Sequence, residues 1–248
     1  MKTCLVTGAA RRLGADLARC FARDGFNVAL HAHSSVAQAQ ALSEQLCGEG
    51  RQTSVFSGDL SLPGGAKSLL ENVAAEMGAP DIIVNNASLF AYDFPGAADE
   101  ALLRSSLEIH LLAPVAILEA ASRLKQAAQR IAVFNILDQK LLNLNPDFFS
   151  YTVGKAGLHA AGRIWRSADR VGVRVFGILP GLLSPSGAQS QQRYEEDVRK
   201  SPLQRGVSSR DIYDAIAFFA RHENLPGQDF AVDAGESLTG RKRDVAFE

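Results

Sequence analysis

The sequence predicts an α/β protein with a single domain, in which helices cover both faces of a doubly wound parallel sheet of about seven strands. Two observations lead to this fold class. Short apolar runs alternate with amphipathic helical stretches along the chain, which is the rhythm of parallel strands joined by crossover helices. The 248 residues contain no internal repeat or linker, and 46% of them are hydrophobic and 21% charged, as in an ordinary globular chain. We therefore expect one domain over residues 1–248.

The predicted strands are short apolar runs that end in turn residues. They are residues 2–7, 26–31, 51–56, 81–85, 131–137, 171–179 and 228–233. The predicted helices have apolar residues spaced for one face. They are residues 15–22, 36–47, 64–77, 99–128, 150–170 and 209–222. Pro114 should bend or divide the fourth helix, because proline lacks a backbone donor. Residues 182–206, which are rich in Ser, Gln and charge, are predicted to form a mobile lid over the substrate.

Composition and charge argue against several classes of protein. The formal net charge is −1 and no run of Lys or Arg precedes the final segment, so nucleic acid and membrane surfaces are not expected partners. Cys4, Cys20 and Cys47 form no Cys-x-x-Cys pair, which indicates reduced thiols in the cytoplasm rather than a disulfide framework or a zinc site. No signal-type apolar core opens the sequence, and no stretch approaches the roughly 20 apolar residues that cross a bilayer.

The turn between the first strand and the first helix is suited to a phosphate. It contains Gly8, Arg11, Arg12, Leu13 and Gly14. A strand, a glycine turn and a helix in this order present backbone N–H groups and a positive dipole end to an anion. Arg12 stands where the common three-glycine pattern has its middle Gly, and its guanidinium can pair with phosphate oxygens. The alternative is a plain turn with a solvated basic pair.

The end of the second strand predicts which nicotinamide cofactor binds. An NAD site usually has Asp or Glu about 20 residues past the glycine turn, where it binds the ribose 2′-OH. This chain has His31, His33, Ser34 and Ser35 there and no acid. Imidazoles, hydroxyls and the nearby Arg11 would accept a 2′-phosphate that a carboxylate would repel, so we expect NADP(H). The histidines could equally be ordinary strand-end residues, and two His without a third ligand make a poor metal site.

Asp59 and Leu60 follow the third strand. The Asp59 carboxylate could accept a hydrogen bond from an adenine amino group, or it could cap the next turn. The sequence leaves both interpretations open.

The candidate catalytic residues are Asp138, Tyr151 and Lys155. Tyr151 and Lys155 are four residues apart at the start of a predicted helix, so they should lie on one face. A phenol has a pKa of roughly 10, and a nearby ammonium should lower it, which makes Tyr151 a candidate general acid and base. Asp138 ends a predicted strand, where open α/β sheets bind ligands. Taken alone, the Tyr and Lys could be a partly exposed phenol and a solvated amine.

Several short motifs occur in the order typical of the short-chain dehydrogenase/reductase superfamily. They are Thr7-Gly8 with Gly14, Asp59, Asn85-Asn86-Ala87, Tyr151-x-x-x-Lys155 and Pro180-Gly181. The chain resembles that superfamily over nearly its whole length. The resemblance implies a Rossmann fold and extends the cofactor site to further residues. These are Leu13, Leu60, Asn86, Ala87, Ser88, Tyr151, Lys155, Pro180 and Gly181.

Within the superfamily the chain is most similar to pteridine reductases, a branch that includes bacterial dihydromonapterin reductases. Asp138 stands thirteen residues before Tyr151, where most members have Ser. The turn with Arg12, the stretch 30–35 and the stretch 86–90 are also typical of the branch. The resemblance implies that Phe90 stacks on a pterin, that Ser88 and Arg12 contact cofactor and substrate, and that Asp138 and Tyr151 contact the substrate and act in catalysis with Lys155.

Chemistry at position 138 supports this narrower resemblance. A Ser hydroxyl would hydrogen-bond a ketone oxygen, whereas a carboxylate suits ring nitrogens and amino groups that donate to it. The resemblance implies that Asp138 orients a water or holds Tyr151, and because an ionised Asp cannot donate a proton, its role would depend on pH and on a water. Ser34 departs from the branch, which often has Arg there, and Phe90 could instead be core.

His110 takes the place of an Asn that many members have in the long helix. Its imidazole could hold a water relay, or it could be a satisfied buried His.

Three functional hypotheses follow. The favoured one is an NADPH-dependent pteridine reductase acting on a dihydropterin, a biopterin-like compound or a folate. The second is a reductase of another carbonyl or enoyl substrate. The third is a catalytically silent NADP-binding regulator, against which intact Tyr151 and Lys155 argue. Helix 150–170 carries small residues that permit close helix packing, and because such helices form subunit contacts in the family that the chain resembles, the resemblance implies a homodimer or homotetramer. The basic tail at 241–244 is expected to be solvated, or to reach a neighbour's active site.

Overall fold

The computed structural model describes residues 2–124, 130–168, 172–185 and 190–247. Its strands are β1 (Thr3–Val6), β2 (Asn27–Ala32), β3 (Thr53–Ser57), β4 (Ile82–Asn85), β5 (Ile131–Ile136), β6 (Val173–Pro180) and β7 (Asp229–Val232). Its α-helices are α1 (Arg12–Arg23), α2 (Val36–Gly48), α3 (Gly65–Met77), α4 (Glu100–Leu107), α5 (Ala113–Leu124), α6 (Phe149–Ser167), α7 (Gln191–Arg199) and α8 (Ser209–Arg221).

The strands form one seven-stranded parallel sheet in the order β3-β2-β1-β4-β5-β6-β7. The predicted fold class is therefore confirmed. Strands β5 and β6 are buried along their whole length. Continuous burial explains why their sequences are unbroken apolar runs rather than alternating ones.

Helices pack on both faces of the sheet. On one face, Leu17 and Phe21 of α1 and Tyr213 of α8 pack against alternate strand residues. On the other face, Leu70 of α3 and Ile117 of α5 cover the remaining strand positions. Because successive strand side chains point to opposite faces, each central strand contributes to both cores.

Strand β1 pairs with both β2 and β4. The chain adds β2 and β3 on one side of β1 and then adds β4 to β7 on the other side, so the strand order switches at β1. Ligands of open α/β sheets bind in the crevice at such a switch point, beyond the carboxyl ends of the strands. The sheet thus gathers the ends of β1, β4, β5 and β6 at one edge.

The long fourth helix is divided as Pro114 predicts. A single π-helical turn, Glu108–Leu112, separates α4 from α5. The end of this predicted helix at 125–128, residues 169–170 of helix 150–170 and residue 171 of the sixth strand lie outside the described residues.

The stretch Glu100–Leu124 has the length and mean hydropathy, 1.5, of a membrane span, which corrects the expectation that no stretch comes close. Core helices pass the same test, and here Ala113, Ile117, Leu118 and Ala121 are buried against the sheet.

The predicted lid contains a helix of its own. Helix α7 lies within residues 182–206, while 186–189 fall outside the described part of the chain. Polar contacts hold it: the Tyr194 hydroxyl donates to the Leu182 carbonyl at 3.0 Å, and the buried Asp197 accepts from Lys200 at 2.7 Å. Its predicted mobility stays a prediction.

Candidate active site

A cleft of about 1080 Å³ runs along the carboxyl edge of the sheet. Each residue that the sequence predicts for the site lines this cleft. They are Gly8, Arg11, Arg12, Leu13, Gly14, His31, His33, Ser34, Ser35, Asp59, Leu60, Asn86, Ala87, Ser88, Phe90, Asp138, Tyr151, Lys155, Pro180 and Gly181. The fold therefore brings segments that are far apart in sequence to a single cavity.

The glycine turn after β1 is held closed by contacts that require glycine. Gly8 has φ +65°, and a Cβ on Gly14 would lie 2.2 Å from the Gly8 carbonyl oxygen. The side-chain amide of Asn86 donates to the backbone carbonyls of Thr7 at 2.9 Å and Gly8 at 3.2 Å. These contacts leave a backbone cradle at the start of α1, where helix geometry favours an anion.

Arg12 crosses the cleft instead of lying along the helix. It has φ +52°, and its guanidinium donates to the Ser184 hydroxyl at 2.8 Å and to the Pro185 carbonyl at 3.3 Å. Both bonds are exposed, so the guanidinium is open to solvent in the cleft, and its pairing with a phosphate stays a prediction.

The two strand-end histidines have different environments. The buried His31 accepts the Gly8 N–H at Nδ1 over 3.2 Å, and its Nε2 lies 3.0 Å from the Gly58 carbonyl, to which it donates in that tautomer. With both ring nitrogens engaged and its pKa lowered by burial, His31 holds the glycine turn as a neutral ring. The predicted contact of His31 with a phosphate is therefore wrong as a direct hydrogen bond. His33 remains exposed, as does Ser34.

Asp59 caps the turn that follows β3. Its Oδ1 accepts from the Ser61 backbone at 2.9 Å and from the Ser61 hydroxyl at 2.6 Å, and these bonds lower the pKa of the carboxyl. The other oxygen lies 3.8 Å from His33. The capping interpretation is confirmed, and a contact with adenine stays a prediction.

Asp138, Tyr151 and Lys155 meet at the end of β5. The Tyr151 hydroxyl donates to Oδ2 of Asp138 at 2.8 Å. Oδ1 of Asp138 accepts from the Lys140 backbone N–H at 2.8 Å. The buried Lys155 ammonium donates to the Ile136 carbonyl at 2.5 Å and lies 5.7 Å from the centroid of the Tyr151 ring.

The electrostatics of this group differ from the sequence expectation. Burial, and then the adjacent Asp138, raise the pKa of Tyr151 well above its ordinary value. The expected lowering by Lys155 is wrong here, because the hydroxyl faces a carboxylate and the ammonium faces a backbone carbonyl. Burial lowers the pKa of Lys155 to about 8 and raises that of Asp138, although Asp138 is partly exposed to the cleft. The phenol is therefore protonated at neutral pH and can donate.

Phe90 forms an aromatic wall beside this group. Its side chain is 46% exposed, so the alternative that it is core is wrong. It stacks on Phe148 with ring centroids 4.2 Å apart and meets Tyr151 edge to face at 4.9 Å. Phe148, at φ +52°, is a platform residue that no local sequence pattern indicated.

The C-terminal segment lines the same cleft, which corrects its expected solvation. Arg243 donates three hydrogen bonds to the buried Asp147, at 2.7, 2.8 and 3.1 Å. The Asp244 carboxylate lies 3.4 Å from the buried Lys140 ammonium, which also donates to the Asp147 carbonyl. Arg241 pairs with Glu236 at 2.5 Å. Sequence reasoning missed Asp147 and Lys140, because only the fold places them opposite the tail.

Comparison with known proteins places this geometry in a family. Residues 8–237 match the model of the family described as enoyl-(acyl carrier protein) reductase. The 3-oxoacyl-(acyl-carrier-protein) reductase FabG of Staphylococcus aureus is 25% identical over an alignment of 242 positions, which covers 94% of this chain and 97% of the relative.

Two solved structures are similar over nearly their full length. FolM alternative dihydrofolate reductase 1 from Brucella canis, complexed with NADP, is 34% identical with a TM-score of 0.92, covering 98% of this chain and 96% of that chain. A blue fluorescent protein from a metagenomic library, in complex with NADPH, is 25% identical with a TM-score of 0.84, covering 95% and 97%. With a family model over most of its length and a full-length match at 34% identity, the chain belongs to the short-chain dehydrogenase/reductase superfamily.

Proposed function

We propose that this protein is an NADPH-dependent pteridine reductase that reduces a dihydropterin-like substrate. The observation that carries the proposal is the carboxylate of Asp138, which holds the Tyr151 hydroxyl at 2.8 Å beside the half-exposed Phe90 ring. A flat heterocycle that donates from ring nitrogens and amino groups finds an acceptor, a proton donor and a stacking surface in one place.

NADP(H) is the cofactor that the cleft fits. The backbone cradle at Gly8 and Gly14, which a Cβ would fill, suits a pyrophosphate. His33, Ser34 and Arg11 are exposed and line the cleft, and no acid follows β2 directly in the sequence. One carboxylate does lie close to this group: Asp59 is 3.8 Å from His33 and accepts hydrogen bonds from Ser61. The prediction from sequence agrees with the solved relatives, which hold NADP or NADPH. Bound there, the dinucleotide supplies the hydride.

The side chains of this chain supply the proton and the orientation. Reduction of a C=N bond adds a hydride to carbon and a proton to nitrogen. Tyr151 is protonated at neutral pH, and its hydrogen bond to Asp138 holds the phenol in place before the substrate binds. To donate, the O–H turns from Asp138 to the substrate nitrogen, and the phenolate left behind recovers a proton from solvent. Lys155, held at the Ile136 carbonyl, contributes positive charge beside the phenol and can bind ribose hydroxyls. Phe90, Ser88 and Arg12 complete the substrate wall.

Reduction of a 3-oxoacyl or other carbonyl substrate is the second candidate. The family model and the FabG relatives favour it. In that reaction a hydroxyl at position 138 would donate to the ketone oxygen, and an ionised Asp138 would repel the developing negative charge. This chemistry makes the carbonyl reaction the less favoured one.

Assays of NADPH oxidation separate the candidates. Purified protein is tested with dihydrobiopterin, dihydrofolate, a 3-oxoacyl thioester and a panel of ketones, each with NADPH and with NADH. Turnover of a pterin and a higher kcat/KM with NADPH support the proposal. Turnover of ketones alone supports the second candidate, and tight NADPH binding without turnover of any substrate supports a silent regulator.

We further propose a cytoplasmic homodimer or homotetramer. Val153 and Ile164 of α6 expose 36% and 68% of their surface on a helix that also carries Gly154, Gly157 and Gly162, and Leu112 in the π-helical turn exposes 50%. Exposed apolar side chains on a helix with small neighbours favour close helix packing between subunits. Sedimentation analysis of the purified protein measures the mass directly, and a monomer at micromolar concentration would contradict this assembly.

A further inference from the structure

His110 lies in the π-helical turn between α4 and α5, directly behind the catalytic group. Its side chain is 1% exposed, and its ring meets the Tyr151 ring edge to face with centroids 5.1 Å apart. Single π turns are rare and are frequent at functional sites. Pro114, four residues later, cannot donate to the His110 carbonyl as an α-helix requires, which accounts for the wider turn at this point.

The imidazole contacts the segment that leads to Phe90. Nε2 lies 3.1 Å from the backbone N–H of Leu89 and 3.0 Å from the hydroxyl of Ser88. A backbone N–H can only donate, so Nε2 must be the acceptor and must lack a proton. The Ser88 hydroxyl then donates to the same nitrogen, and the neutral ring carries its proton on Nδ1.

The surroundings keep this ring neutral. Burial first, and then the charge of the nearby Lys155, lower the pKa of His110 to about 2, with the Ser106 carbonyl acting in the opposite direction. No hydrogen bond of standard geometry to Nδ1 is present among the described residues. A ring that stays neutral at physiological pH and uses its acceptor on a backbone N–H is poorly suited to relay protons.

Helix α6 leaves space for this arrangement. A Cβ on Gly154 would lie 3.0 Å from Cβ of His110 and 3.0 Å from the Ser106 carbonyl oxygen. Glycine at position 154 lets α6 lie close to the π-helical turn, so that the Tyr151 ring contacts the His110 imidazole. His110 therefore contacts both Tyr151 and the backbone next to Phe90. We call the space between the Phe90 ring and the Tyr151 hydroxyl, in which the substrate would bind, the substrate slot.

We propose that His110 is a positioning residue: by accepting the Leu89 N–H while packing against Tyr151, it fixes the spacing between the Phe90 platform and the catalytic phenol. This inference rests on the proposed function, because that function supplies the pterin in the slot. The tautomer of His110 and the position of residues 88–90 do not depend on the proposed function. The role differs from a water relay, because the ring acts through a backbone hydrogen bond and not through proton exchange.

Two variants of similar size test the proposal. His110→Phe retains a ring but removes the acceptor, leaving the Leu89 N–H unsatisfied. Loss of a buried hydrogen bond of this kind corresponds to about a tenfold effect, so we expect the KM for dihydropterin to rise about tenfold with a smaller change in kcat. His110→Gln restores an acceptor and should recover most of the KM. The pH profile of kcat should keep its shape in both variants, and NADPH affinity should be retained.

Three results would overturn the proposal. One is an unchanged KM for dihydropterin in His110→Phe. Another is an equal rise of that KM in the Gln and Phe variants when both bind NADPH. The third is loss of one limb of the pH profile of kcat in either variant. A measurement on the unmodified protein works without any substrate. Imidazole ¹⁵N NMR, assigned by the signal lost in His110→Gln, should show a neutral ring protonated at Nδ1 with no titration between about pH 5 and 9. Protonation at Nε2, or titration in that range, contradicts the inference; failure to reduce any pterin with the expected spectrum contradicts only the proposed function.

Discussion

Replacing Asp138 by Asn should separate activity from stability. The carboxylate accepts from the Tyr151 hydroxyl and from the Lys140 backbone N–H, each at 2.8 Å. The amide oxygen of Asn can keep the Lys140 contact. Its NH₂ group then faces the phenol as a donor, so the phenol must accept and its proton turns away.

The size of the effect on turnover follows from that bond. A hydrogen bond to a charged group contributes about 1.5–3 kcal/mol, which corresponds to about a 10- to 150-fold change in rate. We expect kcat for dihydropterin to fall by this factor in Asp138→Asn. The Kd for NADPH, measured by fluorescence titration, should not change. Asp138→Ala should lose at least as much activity and also stability, since it leaves the Lys140 N–H without its acceptor.

Asp138→Asn should lower turnover, but it should not lower the free energy of unfolding at neutral pH. Because desolvation raises the pKa of Asp138, the folded protein holds that proton more tightly than the unfolded chain does. Ionisation at neutral pH therefore costs stability, and Asn avoids the cost. Urea unfolding should show Asp138→Asn at least as stable as the parent at neutral pH, with the difference shrinking as pH falls towards about 4. Turnover equal to that of the parent would refute the reasoning. So would a stability difference between Asp138→Asn and the parent that grows as pH falls.

Three further predictions follow. Tyr151→Phe should lose most turnover and retain NADPH affinity, because it removes the proton donor alone; activity near that of the parent would exclude Tyr151 as the donor. Gly14→Ala should destabilise the fold by about 1–3 kcal/mol in urea unfolding, since its Cβ would lie 2.2 Å from the Gly8 carbonyl oxygen. Gly48→Ala, at the end of helix α2 with nothing within 4 Å, is the control and should keep or slightly raise the stability. Lys155 has its pKa lowered to about 8, so kcat/KM should fall as pH rises through that value. Between about pH 8 and 10.5, the ordinary pKa of a lysine, only the unfolded chain keeps this proton, so the free energy of unfolding should rise with pH in that range. Lys155→Met should abolish the rise.

Local sequence patterns were sufficient for much of the fold and for part of the cleft, while the family resemblance supplied further lining residues. The glycine turn, the strand-end position of Asp138 and the one-face spacing of Tyr151 and Lys155 depend on residues close together in sequence. The parallel sheet then brings these segments to one edge, as the alternation of strands and helices predicts. The division of the long helix followed from Pro114 in the same way.

The remaining features depend on contacts between distant segments. His31 bonds to Gly8 and Gly58, so its engaged ring could not be inferred from the strand end alone. The contact of Arg243 with Asp147 joins residues 96 positions apart and turns an expected solvated tail into a wall of the cleft. The direction of the pKa shift of Tyr151 depends on which neighbour its hydroxyl faces, a matter of side-chain geometry and not of spacing.

Substrate preference as a function of residue 138 tests the central claim most directly. The measurement is the ratio of kcat/KM for dihydrobiopterin to kcat/KM for a 3-oxoacyl thioester, both with NADPH, in the parent and in Asp138→Ser. We predict that the parent favours the pterin and that Ser shifts the ratio towards the ketone, because a hydroxyl can donate to its oxygen and a carboxylate cannot. A parent that prefers the thioester, or a ratio that does not change in Asp138→Ser, would contradict the account.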